Sequence, residues 1–502
     1  MSETVGAPDV VVIGSGVGGL TAGGYLARAG LRVALYEKHS KLGGYMQYFG
    51  TEPTWDSDTH LIPGCGPGSW FHDLLAEIGA LRRVELIPLE PAFRILLPQD
   101  DVLVPADGER FRAELSAAFP AEAEGIRRFF TDVNRIGREF LALRHGPPTE
   151  GPAARYYDRT AADLLNDTVR NERLRAILAA TWQFGGLPPT QLSALQFALN
   201  FHLYHQQGGP CAARTGVKAL SQALAEVITE HGGSVALRAR VTRILRERGR
   251  AVGVELEDGT RVSCRAVISN VSPHETFERM LGGNAGPAIR YAPLQFVTSI
   301  SAMQVHLLTD LPAELPARTT LMCDTNALED AWSGLMRAEP MFGAFVCSIL
   351  THGDPERAPG KTMVSLMALQ PYMREDRWHA PWDARRGPLY RTLPEYQTQK
   401  EAFGDRLVEA AERLIPGLRQ RTLARRVATP LTMERYTFNT AGAAFGWANL
   451  PQQCGPYRPG PETPIRSLFL AGHWTFPGGN IPPAMMSGRF AAEAALKYLE
   501  RG

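Results

Sequence analysis

The segment from Asp9 to Glu37 constrains the fold more than any other part of the chain. An apolar run, Asp9-Val-Val-Val-Ile13, meets Gly14-Ser15-Gly16-Val17-Gly18-Gly19; residues 20–29 then carry helical spacing and stop at Gly30. Arg32-Val-Ala-Leu-Tyr-Glu37 reads as the next strand. One strand–turn–helix–strand unit within about thirty residues is the opening of a Rossmann-type α/β domain. Gly14, Gly16 and Gly19 form G-x-G-x-x-G, where missing side chains let the backbone approach a pyrophosphate at the helix N-terminus. The glycines alone would also suit an ordinary tight turn. Glu37 decides for a dinucleotide, because a carboxylate at that strand end accepts hydrogen bonds from a ribose and repels a 2′-phosphate.

The 502 residues are enough for two or three domains. Lys plus Arg number 53 against 52 for Asp plus Glu, so the net charge of +1 offers no field to draw in a polyanion. Nucleic acid is therefore not an expected partner. The basic run Arg238, Arg240, Arg243, Arg246, Arg248 and Arg250 falls on alternating strand and fits either the solvated face of a hairpin or contact with anionic lipid headgroups. The six cysteines show no C-x-x-C spacing, which argues against a zinc or dithiol centre, and their sparsity suits a reducing compartment. His202 and His205, three apart, have no acidic or thiolate companion nearby, so no metal site is expected. The start lacks the features of a signal peptide, and no apolar run reaches the ~18 residues of a membrane span. A cytoplasmic protein is expected, with peripheral membrane contact as the other possibility.

Further along, residues 113–143 and 161–180 read as helices, ending in a turn at Gly185-Gly186-Leu187-Pro188-Pro189, and predict a helical cap. Residues 235–237, 241–245, 252–256 and 266–269 read as short strands, with Glu257-Asp258-Gly259 as a hairpin turn, and predict a meander beside the first sheet. Strands at 296–308, 343–350 and 362–369 suit an antiparallel sheet; 395–414 reads as a helix. A strand at 467–471, a Gly/Pro-rich turn and a helix at 483–499 finish the chain. Leu192, Leu195, Phe197, Leu199, Phe201 and Leu203 have helical spacing and suit either buried core or the wall of a substrate tunnel or membrane-facing mouth. The expected architecture is α/β, a Rossmann-type domain from 1–90, 210–285 and 450–502 interleaved with an α+β substrate domain from 91–209 and 286–449.

Lys41-Leu42-Gly43-Gly44 separates FAD from NAD. A second glycine pair just beyond the acidic strand end resembles the glycine-doublet flavoproteins. Together with Trp55-Asp-Ser-Asp-Thr-His60, Thr215-Gly216 through Val267-Ile-Ser-Asn270, Thr429-Pro430 through Gly446, and Ala471-Gly-His-Trp-Thr-Phe-Pro-Gly-Gly-Asn-Ile-Pro-Pro483, the chain resembles the carotenoid and retinoid oxidoreductases. That group includes phytoene desaturases, carotenoid isomerases and retinol saturases. The resemblance implies FAD as cofactor, held by Gly14, Ser15, Gly16, Gly18, Gly19, Glu37, Lys38, Gly43, Gly44, Val241, Gly472, Gly479, Ile481 and Pro482. It places the adenine at the backbone of Val241 and the flavin at a helix N-terminus, whose positive end favours an anionic reduced ring.

Two positions depart from the family pattern. His473 stands where relatives often have a carboxylate, and Asp58 where many have glycine. Asp58, His60 and His473 are the candidate catalytic residues; for Asp58 and His60 the readings are a structural turn or proton delivery to a polyene carbon. The implied substrate is a long apolar polyene or isoprenoid, which is desaturated, saturated or isomerised. A flavin amine oxidase and a prenyl-lipid carrier like the Rab GDP-dissociation inhibitors are the alternatives. Only one G-x-G-x-x-G has strand-to-helix context, so electrons are expected to pass to or from a quinone, oxygen or a protein donor, or to return to the substrate in a redox-neutral isomerisation, rather than to use NAD(P).

Overall fold

The computed structural model describes residues 7–501 apart from 58–60, 206–207, 283–290, 313–314, 338–342, 373–377 and 379–387. Its opening unit matches the sequence reading: strand Val10–Ile13, helix Val17–Arg28, strand Val33–Tyr36. The two strands pair in parallel, Val10 opposite Val33, and both are buried, as a sheet covered on two faces requires.

Three further strands complete this sheet. Ser234–Ala236 pairs on the outside of Val33–Tyr36, Ala266–Ser269 beside Val10–Ile13, and Leu468–Leu470 beyond it, all parallel. Segments from three distant parts of the chain thus meet in one sheet. The predicted meander is corrected here. Only Val241–Glu247, Arg250–Leu256 and Arg261–Ser263 form it; the strands before and after leave it for the parallel sheet. Ala266–Ser269 is buried at every residue, the run expected for a central parallel strand.

A seven-stranded sheet lies apart from the first. It includes the three predicted strands, observed at Ser301–Thr309, Ala344–Ile349 and Thr362–Gln370. It also holds Thr319–Cys323, Thr422–Ala428 and a hairpin, Phe93–Leu97 with Asp100–Val104, that the sequence reading missed. The hairpin corrects the all-helical cap. Its alternation of buried and part-buried side chains in Phe93–Leu97 is strand spacing, and it extends the sheet through parallel pairing of Arg94 with Thr320.

The remaining cap is helical but shorter in its pieces. Residues 113–143 split into Gly108–Ala118, Ala123–Glu139 and a tighter turn, Phe140–His145, because Pro120 cannot donate into a continuing ladder. Helix Ala194–His205 is buried along its whole length, so Leu195, Phe197, Leu199, Phe201 and Leu203 are core rather than a membrane-facing mouth. His205 stacks on Phe111 and His202 sits beside Asn134; among the described residues no cluster could hold a metal ion.

Two cysteines 146 residues apart, Cys65 and Cys211, form a disulfide with Cα atoms 5.9 Å apart. This corrects the picture of six sparse thiols, since antiparallel pairing of Ile62–Pro63 with Pro210–Ala213 brings the two together. Gly64–Gly68 is a turn, as read, although it does lie between a short strand and helix Trp70–Ile78. Among the described residues no helix is long and apolar enough to cross a membrane.

Candidate active site

The G-x-G-x-x-G turn is wired to its surroundings through Ser15. The Ser15 N–H and hydroxyl both donate to Glu37 Oε2 at 2.8 Å, and the Gly43 N–H donates to Ser15 Oγ at 3.2 Å. One side chain therefore joins the first glycine turn, the acidic strand end and the glycine doublet. Glu37 is nearly buried and also accepts from His39 N at 2.8 Å, which fixes the plane of its carboxylate at the rim of the cleft.

Gly43 has φ +114° and Gly44 φ +61°, conformations that carry the chain back under Gly16. Opposite, a side chain on Gly18 would stand 2.7 Å from the Gly472 backbone, and one on Gly16 would collide with the Asn270 amide. These glycines leave a narrow groove that any Cβ would fill. Helix Ile481–Glu500 is drawn to the same place, because Gly488 packs on the Gly18 carbonyl without room for a side chain. The N-termini of the first and last helices thus converge on one cleft, a fit for a diphosphate and for a ring that gains negative charge.

The cleft is lined by Gly14, Gly16, Gly18, Glu37, Lys38, Gly43, Gly44, Val241, Gly472, His473 and Ile481 of the sequence-predicted residues. Ser15, Gly19, Gly479 and Pro482 stand behind it: a side chain on Gly19 would strike the Gly14 carbonyl, and Gly479 packs against Phe445. Lys38 donates to the carbonyls of Tyr436, at 2.7 Å, and Arg435, and lies 3.8 Å above the Phe438 ring. It joins the second strand to the C-terminal end of helix Pro430–Thr437, where a cation suits the helix dipole. Asp58 and His60 lie outside the described residues.

His473 is half-buried at the cleft, and desolvation of its ring together with the Arg458 charge pushes its pKa down to about 3. Its imidazole is neutral at ordinary pH, with Nε2 lacking a protein partner among the described residues, and it stacks on Tyr45 at 5.9 Å. Arg458 is itself buried and donates to the carbonyls of Gln453, His473 and Trp447 and to Asn449 Oδ1 at 3.0–3.2 Å. No carboxylate pairs with it among the described residues, so carbonyl oxygens, with the Cys454 sulfur 3.9 Å away, solvate the charge and hold the 447–458 loop against the cleft.

Asn270, Tyr45, Arg240 and Asn439 also line the cleft and were not predicted as site residues. Asn270 had a legible signal, a polar residue at the end of an apolar strand. Its neighbourhood did not, because only the pairing of Ile13 with Ser269 sets it beside the glycine turn. Asp56, in the quoted block, is 2% exposed and accepts from Val217 N at 3.1 Å and Arg357 at 3.0 Å. It ties the start of helix Val217–Glu230 to the connection between strands Ala344–Ile349 and Thr362–Gln370.

Beside the cleft lies a second, smaller cavity. Tyr45, Ala444 and Asn480 line both spaces and mark where they meet. The Tyr45 hydroxyl donates to Ala443 O at 2.9 Å, which fixes it at this junction.

Residues 17–496 match the model of the flavin containing amine oxidoreductase family. The chain belongs to this family. The flavoprotein is 27% identical to a prolycopene isomerase of Daucus carota, over 97% of this chain and 81% of that one. It is 26% identical to an all-trans-retinol 13,14-reductase of Homo sapiens, over 97% and 85%, and 26% identical to a lycopene-forming phytoene desaturase of Paracoccus, over 98% of each. The resemblance to carotenoid and retinoid oxidoreductases holds. Among solved structures, the flavoprotein shares its fold with an oxidoreductase from Methanosarcina mazei (TM-score 0.64, 18% identity, 97% and 99% of the two chains). It also shares it with a putrescine oxidase bound to putrescine (TM-score 0.58, 16% identity, 98% and 99%). It is an FAD-dependent oxidoreductase with a Rossmann-type domain.

Proposed function

We propose that this oxidoreductase acts on a long apolar polyene or isoprenoid, as a desaturase, saturase or isomerase. The second cavity carries the reading: its walls include Leu61, Phe184, Val346, Met367, Leu369, Met433 and Phe445, and no carboxylate is among its described lining residues. An ammonium group entering it would lose its water with no counter-charge in return, whereas an apolar chain loses nothing of the kind. The names of the curated relatives, a prolycopene isomerase, a retinol reductase and a phytoene desaturase, support the same substrate class.

In this reading Gly14, Ser15, Gly16, Gly18, Gly19, Gly43 and Gly44 hold the diphosphate, Glu37 and Lys38 the ribose end, Val241 the adenine, and Gly472, Gly479, Ile481 and Pro482 the ring end. FAD, when bound, supplies the electron or hydride exchange with carbon. The protein contributes orientation and the exclusion of water. Tyr45 and Asn480 stand at the meeting of the two spaces, and His473, held neutral, offers hydrogen bonds rather than a proton. Proton delivery falls to Asp58 and His60. Segments 1–90, 210–285 and 450–502 serve the cofactor and 91–209 and 286–449 the substrate. A quinone or oxygen takes up the electrons of a desaturation, a protein donor supplies those of a saturation, and an isomerisation returns them to the substrate; contact with a membrane surface delivers the substrate.

The test is anaerobic mixing of the yellow protein with polyenes, primary amines and NAD(P)H, alongside mass identification of any apolar molecule that copurifies. A polyene product or polyene-dependent flavin bleaching is expected. Bleaching by amines, with peroxide formed in air, would return the amine-oxidase reading; rapid saturable bleaching by NADH or NADPH would sink the proposed acceptors. A colourless protein that takes up no FAD would revive the lipid carrier.

A further inference from the structure

The floor of the second cavity is one face of the seven-stranded sheet, and its polarity changes along the strands. Next to the junction the floor is apolar, where Ala302 pairs with Leu369; the following rung is mixed, with Gln304 beside Met367 and Val346. This end is next to the cofactor cleft, since Ala444, which lines both spaces, donates from its N–H to Ile300 O. Four residues further along strand Ser301–Thr309, about 13 Å away at the rise of a strand, the character switches.

There, register places His306, Ser365, Ser348 and Thr319 in one rung across four neighbouring strands. Equivalent positions in a rung point to the same face. Each of the four is 1% exposed. Ser365, Ser348 and Thr319 line the cavity, with Gln304 one step nearer the junction. Beyond the rung, Leu308, Met363, Leu350 and Trp55 form a closed apolar cluster, so the polar rung is the blind end of the cavity and not a solvent mouth.

The hydrogen bond between Thr319 and Ser348 does not exhaust the capacity of that pair. Thr319 Oγ1 and Ser348 Oγ share a single bond at 3.0 Å, so of their two hydroxyl protons only one is used within the pair. The other has no acceptor among the described residues, and lone pairs remain on both oxygens. A hydroxyl left in that state at a buried site costs free energy unless a ligand or water completes it.

We propose that the substrate carries an oxygen-bearing end group, a hydroxyl or carbonyl, that docks on the Thr319–Ser348 hydroxyl pair while its carbon chain runs over the cavity floor to the cofactor. The inference rests on the polyene reading and refines it: Thr319 and Ser348 select the end group, and the spacing between rung and junction sets which bond reacts. A pure hydrocarbon would leave the Thr319–Ser348 pair unsatisfied and bind more weakly.

The experiment uses FAD-bound protein and three all-trans polyenes with one carbon skeleton, ending in hydroxyl (retinol), aldehyde (retinal) or methyl (the deoxy hydrocarbon). Dissociation constants come from quenching of flavin fluorescence. The oxygenated ligands are expected to bind about 10-fold more tightly than the hydrocarbon, the worth of one or two neutral hydrogen bonds. Thr319→Val with Ser348→Ala should shrink that preference to about 2-fold or less without weakening the hydrocarbon. Equal binding of all three ligands by the wild type, or a preference that survives in the double variant, would overturn the proposal. If the double variant does not retain FAD, Ser348→Ala alone is measured by the same criterion. Failure of every polyene to bind would instead refute the polyene reading beneath it.

Discussion

Replacing Arg458 with methionine tests the most unusual charge in the protein. The side chain is similar in length, so packing is largely preserved while the guanidinium, its four hydrogen bonds to oxygen and its longer contact with Cys454 Sγ are lost. Their acceptors are Gln453 O, His473 O, Trp447 O and Asn449 Oδ1, at 3.0–3.2 Å. Hydrogen bonds from a charged donor contribute about 1.5–3 kcal/mol each, or about 6–12 kcal/mol together. Against this stands the desolvation of a fully buried cation, several kcal/mol, which the variant no longer bears. The difference is about 3–5 kcal/mol of destabilisation, in line with breaking other buried charged networks. Urea unfolding of the FAD-loaded wild type and variant, in saturating FAD, measures it. The Arg458 charge also depresses the His473 pKa, so the variant's imidazole should titrate higher, which histidine NMR reads. Arg458→Lys should fall between the two, because one ammonium cannot reach four diverging acceptors. A methionine variant within about 1 kcal/mol of wild type, with His473 unmoved, would refute the view that carbonyl dipoles stabilise this cation and that it anchors the loop.

Gly16→Val and Gly18→Ala should each abolish FAD retention, since the first places a side chain on the Asn270 amide and the second 2.7 Å from the Gly472 backbone; flavin released on denaturation is the measure, and wild-type content in a folded variant would contradict the site. Stability should fall as pH drops below 6.5. His202, His205 and His473 have folded pKa values near 4, 3 and 3, so between 6.5 and those values the unfolded chain binds protons that the native chain refuses, at up to about 1.4 kcal/mol per group per pH unit. Melting temperatures flat from pH 7 to 5 would count against their burial as neutral rings. Asp56→Ala should destabilise by about 3–5 kcal/mol, because Arg357 would keep a charge 3% exposed with its carboxylate gone; chemical denaturation that shows less than 1 kcal/mol would show the pair to be dispensable.

Local chemistry made much of the cofactor half legible. A buried strand, a glycine turn and a helix follow from short-range patterning, and Glu37 and Gly43-Gly44 lie within thirty residues of that turn. The Ser301–Thr309, Ala344–Ile349 and Thr362–Gln370 strands were likewise visible as apolar runs. Pairing was not, because hydrogen bonding between strands depends on neighbours hundreds of residues away. Hence Ser234–Ala236 and Ala266–Ser269 looked like parts of a hairpin meander until the parallel sheet claimed them. Cys65 and Cys211 carry no spacing signal, since their encounter comes from the pairing of two short strands across the intervening cap. Asn270 reaches the glycine turn only through the register of Ala266–Ser269 beside Val10–Ile13. The neutrality of His473 and the polar rung of Thr319, Ser348 and Ser365 are purely tertiary: a pKa depends on the dielectric and charges around the ring, and a rung depends on register across four strands. The sequence by itself determined a flavin-binding chain of a recognisable family, and the tertiary structure alone decided which buried groups face the cofactor and which face the far end of the cavity.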